Sequence, residues 1–396
     1  MNSRQLCARI ALFLCGCAAF LNLYATQGIL NELARSFQVS IQQAGWSITV
    51  TTLAVAATAP FVSRLTTRFD QRQVIALAAL LLALPAALAA CATSFSQLLL
   101  WRLLAGVLIP VVFATSVAYI GDRWRGGSVT EVTSLYVAGT VLGGFAGRFI
   151  TGLMTEYVGW REAFVVLAGL GLLIGVAIHR LLPTNSPLCA PPASSPSALR
   201  ELCRWPLLAA YGVGFCVLFA QVAMFTYAGL YLSQAPFDLG SAALGALYSV
   251  FLVALVVTPV AGRLSKSRPQ AQLLLVAALL GVCGSALTLL PSLWLIVLGL
   301  ALSCTGVFLT QAAANAFTTA TAGHNKAGAV GLYLTCYYLG GSLGAVVPGL
   351  LWNPWGWQGC VVLIVLFQLL SLLIGWAGWK PAKLQTPGAA TQRANP

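Results

Sequence analysis

The sequence predicts an all-α membrane protein, twelve transmembrane helices arranged as two pseudo-symmetric six-helix bundles. Three observations carry that prediction. Charged residues make up 7% and hydrophobic ones 59% of the 396, whereas a soluble chain is about a quarter charged. Apolar runs of about 20 residues, the length that crosses a bilayer, recur along the whole sequence. Finally, landmarks of the first half return in the second in the same order.

The runs are rich in Leu, Ala, Val and Gly without period-2 alternation, so they read as helices and not as barrel strands. The first half holds spans at roughly 7–30, 43–63, 74–93, 97–120, 132–154 and 162–182, and the second at roughly 206–232, 242–262, 270–290, 293–319, 329–351 and 359–379. The first run is too long and too weakly flanked for a cleaved signal peptide, and no AxA-like site follows it. The domains expected are therefore a six-helix half over 1–182, a Pro/Ser-rich linker over 183–204, a second six-helix half over 205–380 and a short tail over 381–396.

The repeat is explicit. LYVAGTVLGGFAGRFITG, from Leu135 to Gly152, returns as LYLTCYYLGGSLGAVVPG, from Leu332 to Gly349, with Ala345 where the first copy has Arg148. Gly159-Trp160 returns as Gly356-Trp357, and PFVSRLT at Pro60 as PVAGRLS at Pro259. Chance likeness between leucine-rich segments does not hold such a register. Two halves related by an axis along the membrane normal place a substrate site at their interface near the midplane.

Orientation follows from Lys and Arg placement. With a cytoplasmic N-terminus, the inner side receives Arg4, Arg9, Arg64, Arg68, Arg72, Arg123, Arg125, Arg180, Arg200, Arg204, Arg263, Lys266, Arg268, Lys326, Lys380, Lys383 and Arg393, and the outer side only Arg35 and Arg161. Both termini are then cytoplasmic. The net charge of +13 is spread over short inner loops and the tail, so it is a topology signal and not a nucleic-acid footprint. No nucleotide loop of the GxxxxGK[ST] kind is present. The eleven cysteines form no CxxC pair and read as small apolar filler. His179 and His324 stand apart without clustered acids, so neither a metal nor another cofactor is expected.

The motifs resemble those of the major facilitator superfamily over residues 7 to 380. Between helices 2 and 3 the family's Gly-x3-Asp-Arg/Lys-x-Gly-Arg-Arg/Lys loop is met by the degenerate SRLTTRFDQR, with Ser63 and Thr67 in the glycine and aspartate places, Asp70 in the second glycine place, and Arg68 and Arg72 keeping charge. A helix 4 pattern stands intact as Leu98, Arg102 and Gly106. The helix 5 antiporter pattern is met by Gly139, Gly143, Gly144, Gly147 and Arg148, with Gly144 in the proline place and Arg148 in the last glycine place. YATQGIL in helix 1 and GGxxGR in helix 5 are similar to the bacterial twelve-helix efflux branch, of the arabinose-efflux and drug–proton antiporter type. The resemblance implies the major facilitator fold, alternating access and export. It also makes Arg102 a proton-coupling candidate.

The residues themselves add the following. Gly139, Gly143 and Gly147 repeat every four and form a smooth face on which another helix can pack closely. Arg102 and Arg148 are charges inside spans, each costing about 2.5–3.5 kcal/mol on insertion scales unless partnered. Both are expected about 8–9 Å below the outer boundary. Three readings are open for them. They brace an outer gate by pairing with Glu32 or backbone carbonyls; they bind an anionic substrate, since guanidinium matches carboxylate or phosphate; or they snorkel to the headgroups.

None of the eight acids falls in the middle of a span. Glu32, just past helix 1, is the best coupling candidate. Asp122 is expected to pair with Arg68 or Arg72 as an inner-gate clasp. Polar and aromatic residues on the helices that line the cavity by resemblance give the substrate candidates Asn22, Tyr24, Gln27, Thr49, Tyr136, Gln221, Tyr227, Tyr248, Gln311, Asn315, Tyr333, Tyr337 and Tyr338. This set of hydroxyls, amides and rings suits amphiphilic or aromatic molecules, or small sugars. No nucleophile–base constellation, filter ring or added cytoplasmic domain points to an enzyme, channel or sensor. The expectation is a monomeric secondary carrier in a bacterial-type inner membrane, its partners the lipid bilayer, a small organic solute and H+ as candidate coupling ion. Proton antiport is favoured on the resemblance at Gly139 to Arg148, with symport import, uniport and a transporter-like sensor as alternatives.

Overall fold

The computed structural model describes residues 3–62, 69–124, 127–183, 201–267, 270–322 and 326–379. Among them there is no strand. Helix α1 is Ser3–Leu23, continued past a bend by Leu30–Phe37. There follow α2 (Ile41–Thr58), α3 (Gln71–Leu81 and Ala83–Ala90), α4 (Phe95–Arg123), α5 (Gly127–Tyr157) and α6 (Trp160–Leu181). The second half holds α7 (Trp205–Leu232), α8 (Ser241–Leu247, the 3₁₀ stretch Tyr248–Val253 and Ala254–Ser267), α9 (Gln270–Leu287) and α10 (Leu293–Thr321). It closes with α11 (Lys326–Gly344, resuming over 349–355) and α12 (357–378). The face where α1 meets α2 is called distal here, and the face holding the N-terminus proximal.

Ten of the described helical segments are long and apolar enough to cross a membrane, with a further shorter apolar helix at Gln272–Leu287. Their outward surface is hydrocarbon: Leu77, Val165, Leu173, Val256, Leu350 and Leu373 are all exposed. Trp46, Trp294 and Trp355 ring the distal helix ends, and Trp205 and Trp376 the proximal ones, as interfacial anchors do.

The repeat in sequence is a repeat in packing. A Cβ on Gly139, Gly143 or Gly147 of α5 would run into the backbone carbonyls of Phe13, Cys17 and Leu21 of α1, and one on Gly340 or Gly344 of α11 into those of Phe215 and Phe219 of α7. The four-residue glycine spacing thus seats α5 on α1 and α11 on α7 at backbone contact. The Gly-Trp pairs mark the turns after α5 and α11. Gly159 has φ +131° and Gly356 φ +57°, the region that favours glycine. The indole nitrogen after each donates inward, Trp160 to Ser36 Oγ at 3.0 Å and Trp357 to the Thr288 carbonyl at 3.0 Å.

The two halves meet along α2–α11 and α5–α8. In the first crossing the Thr49 hydroxyl donates to the Ser342 carbonyl at 3.0 Å, and the Ser342 hydroxyl to the Thr49 carbonyl at 3.0 Å. Gln42 reaches the Gly349 carbonyl at 3.2 Å on the distal side, and the Thr335 hydroxyl the Ala56 carbonyl at 3.3 Å on the proximal side. In the second crossing Gly152 faces Ser241 and Gly245, so closely that Gly152 has no room for a Cβ and Gly245 has little.

Candidate functional site

Helix α1 breaks beside the α5–α8 crossing, where Gly28 faces the Tyr248 ring and the Arg148 carbonyl. After Leu23 the backbone tightens into i+3 hydrogen bonds, Gln27 to the Tyr24 carbonyl at 3.0 Å and Ile29 to that of Thr26 at 3.2 Å. This leaves carbonyls at the end of the first segment without helical partners. Arg102 takes two of them: Nη1 donates to Asn22 O at 2.8 Å and Nη2 to Leu23 O at 2.7 Å. The Thr151 hydroxyl takes the Ala25 carbonyl at 2.8 Å. Arg102 is 2% exposed; it is a charged cap on a helix C-terminus, where the dipole is negative.

Arg148 lies on the other side of the bend, 5% exposed. Its Nε donates to Gln27 Oε1 at 2.8 Å and its Nη1 to the Gly144 carbonyl at 2.7 Å. Gln27 Nε2 then donates to the Thr226 hydroxyl on α7 at 2.9 Å, so the chain Arg148–Gln27–Thr226 passes from one half to the other. Three rings surround the guanidinium carbon: Tyr24 at 4.5 Å, Tyr248 at 5.0 Å and Phe251 at 4.8 Å. Tyr24 comes from the first half and the other two from the second. At such distances each ring face attracts the cation.

The expected depth of Arg148 is corrected here. Helix α5 runs on to Tyr157, so Arg148 lies more than two turns inside its end. Both guanidinia are buried against helix 1, which leaves no room for snorkelling in this conformation. Pairing with Glu32 is also corrected. Glu32 lies on the distal surface, 3.9 Å from Arg35, because α1 continues to Phe37 and carries it clear of the bend. With Glu156, Asp238, Asn31 and Arg35 it lines a distal cleft of about 550 Å³ between the halves.

The Arg72 form of the inner clasp is corrected as well. Asp122 accepts from Gln71 Nε2 at 2.7 Å, while Arg72 Nη2 donates to the His179 carbonyl at 2.8 Å. Arg72 stands at the start of α3 beside the end of α6, which draws it away from Asp122. Arg68 lies outside the described residues, as do Ser63, Thr67, His324, most of the linker and the tail. An ion pair between helices on the proximal side is Arg9–Glu131, bidentate at 2.9 and 3.0 Å, tying α1 to α5.

The other substrate candidates divide. Tyr24, Tyr136, Tyr333, Tyr337 and Tyr338 are buried in one contiguous packed cluster drawn from both halves. Tyr337 meets Tyr333 at 5.9 Å and Tyr338 at 5.4 Å, and Tyr338 meets Phe113 at 6.2 Å. The hydroxyls of Tyr24, Tyr136 and Tyr333 and the amide nitrogen of Asn22 are buried without a hydrogen-bond partner. Tyr227 is engaged elsewhere, donating to the Ala345 carbonyl at 3.1 Å where α11 breaks before Pro348. The Tyr248 hydroxyl reaches the Phe225 carbonyl at 3.4 Å. Gln221 is buried in α7, Gln311 is half-buried, and Asn315 is exposed, so its helix turns it away from the cluster.

Sequence reasoning missed Thr226, Thr151, Ser342 and Phe251. Ser342 stands inside the repeated glycine frame, which was the one available signal for it.

A family model described as Major Facilitator Superfamily matches residues 12–345. The chain is 26% identical over 387 residues to the uncharacterized MFS-type transporter YybF of Bacillus subtilis, covering 97% of this chain and 95% of that protein. It is 29% identical to the inner membrane transport protein YnfM of Escherichia coli, with 92% and 89% covered. Over 200 residues, half of each chain, it is 28% identical to the purine ribonucleoside efflux pump NepI of Escherichia coli. Its fold matches that of a bacterial homologue of the human lysosomal transporter Spinster in an inward-facing, unoccupied conformation, with TM-score 0.76, 16% identity and 96% of this chain and all of that one covered. A twelve-helix duplicated bundle, a buried link between its halves and a family match over most of the sequence converge on one conclusion: the chain belongs to the major facilitator superfamily of membrane transporters.

Proposed function

We propose that the chain is a monomeric secondary carrier that exports a small organic solute across a bacterial inner membrane by alternating access, both termini in the cytoplasm. The moving bodies are residues 1–182 and 205–380, and the distal face is the outer one. The observation that carries this reading is the buried link Arg148–Gln27–Thr226, with its ring cage shared between the halves. Such a link is made and broken when one half rocks on the other. Arg148 is accordingly a gate brace on the outer side, made to neutral groups rather than to an acid. The NepI likeness and the helix 5 motif favour export.

Proton antiport is the favoured coupling, but one observation supports a second reading. None of the eight acids is buried, so no carboxylate is in place to exchange a proton inside the bundle. Coupling through the solute's own proton, or uniport, fits that arrangement.

Purified protein in liposomes with a trapped pH-sensitive dye tests the whole reading. Sugars, amino acids, carboxylates and amphiphilic drugs are offered to wild type and Arg148→Ala. A solute-dependent proton signal supports antiport. Solute movement without it retires proton coupling, and movement of none of the panel counts against the carrier.

A further inference from the structure

We propose that the transported solute is an organic anion with an aromatic body, and that its carboxylate is taken by Arg148. The inference rests on the carrier reading above and names its substrate class. It begins with a charge imbalance. Among the described residues two guanidinia are buried, and none of the eight acids is. Arg102 is compensated by the carbonyl end of the broken α1. Arg148 has only an amide, one carbonyl internal to its own helix and three ring faces. A buried cation with neutral partners alone lacks a counter-charge, and the solute is the group free to bring one.

A second observation points the same way. Tyr24, whose ring lies under the guanidinium, has a buried hydroxyl with no partner, and Asn22 in the same bend has a buried amide nitrogen with none. These residues are 7% and 2% exposed. An amide nitrogen only donates, so the missing partner is an acceptor. A carboxylate supplies acceptor oxygens to both kinds of donor and pairs with guanidinium bidentately. The rings of Tyr337 and Tyr338, buried in the same cluster as Tyr24, are the aromatic surface a solute ring would meet there. An organic cation entering here meets two like charges and no acid, which excludes it.

The test is binding to the detergent-purified full chain, read by thermal unfolding and by tryptophan fluorescence titration. The probes are benzoate, acetate, benzamide and benzylamine. Benzoate is expected to stabilise wild type saturably and to bind at least about tenfold tighter than the other three, the ratio that loss of one charge-assisted hydrogen bond gives. Arg148→Gln is expected to bring benzoate down to benzamide's level, with Arg148→Lys between. Tyr24→Phe, which keeps the ring, serves if Arg148→Gln does not fold, and is expected to weaken benzoate several-fold.

Equal binding of benzamide, preference for benzylamine, or no response to benzoate overturns the proposal. So does benzoate affinity unchanged in both Arg148→Gln and Tyr24→Phe. Acetate binding as tightly as benzoate overturns its aromatic part. Since binding is read without transport, a neutral solute moved in liposomes with no carboxylate bound in detergent removes this inference and leaves the carrier standing.

Discussion

Arg102 and Arg148 look alike in sequence, each a cation in an apolar run, and the structure separates them by what they touch. Arg102 holds two carbonyls at 2.7 and 2.8 Å inside one half, so its role is to hold the bend of α1. Its loss is expected to cost stability. Charge-assisted hydrogen bonds contribute about 1.5–3 kcal/mol each, and Arg102→Gln should unfold several degrees earlier in detergent. Arg102→Lys should recover little, because a point charge cannot span both carbonyls as a planar fork does. A wild-type melting temperature in Arg102→Gln would remove the capping account. The sequence marked both arginines as needing partners and offered backbone carbonyls in general, but not which ones. Arg102 takes carbonyls freed by a bend that no glycine or proline within Tyr24–Thr26 announces, and Arg148 takes the Gln27 side chain and the Gly144 carbonyl of its own helix. Glu32 and the Asp122 clasp were read from charge alone, and charge does not say how far α1 continues or which neighbour reaches Arg72 first.

At the scale of the helix, glycine faces do two different jobs. Gly147 packs α5 on α1 within one half, and Gly152 packs α5 on α8 across the two. The same change should therefore have opposite consequences. Gly147→Val places its side chain against the Leu21 backbone in a contact present in every state, and should abolish folded, monodisperse protein. Gly152→Val wedges the distal crossing and should leave the protein folded but held open on that face, with transport lost. Maleimide labelling of a cysteine introduced at Ser241 reads the opening; faster labelling in Gly152→Val is expected, and unchanged labelling would sink the gate assignment. The spans, the repeat and the glycine face on α5 were legible in the sequence because bilayer thickness and helix period leave them no alternative. The pairing of α5 with α8 was not, since Gly152 and Gly245 are far apart in the chain and carry no side chain to betray a partner.

At the scale of the molecule, orientation is a prediction that native residues can report. Cys91 at the distal end of α3 and Cys203 ahead of α7 are both free and exposed. In right-side-out vesicles an impermeant maleimide should label a variant retaining only Cys91 and spare one retaining only Cys203; the reverse pattern would invert the topology. The two crossings between halves are also chemically unequal. Ala345, Arg148's counterpart in the repeat, leaves α2–α11 to hydroxyls and amides, whereas α5–α8 closes on a cation among rings. That asymmetry has an electrical meaning. A fixed positive charge feels the membrane potential, about 2.3 kcal/mol per 100 mV for a full crossing of the field, in proportion to how much of the voltage drop lies on each side of it. On the orientation proposed above, sealing the outer face and opening the inner one would place Arg148 nearer the interior's potential, so an interior-negative membrane would draw the empty carrier toward the inward-open form. The monoanion proposed as solute would cancel that pull. The voltage would then act as a return spring on the unloaded step alone, resetting the carrier to the side from which an exporter loads.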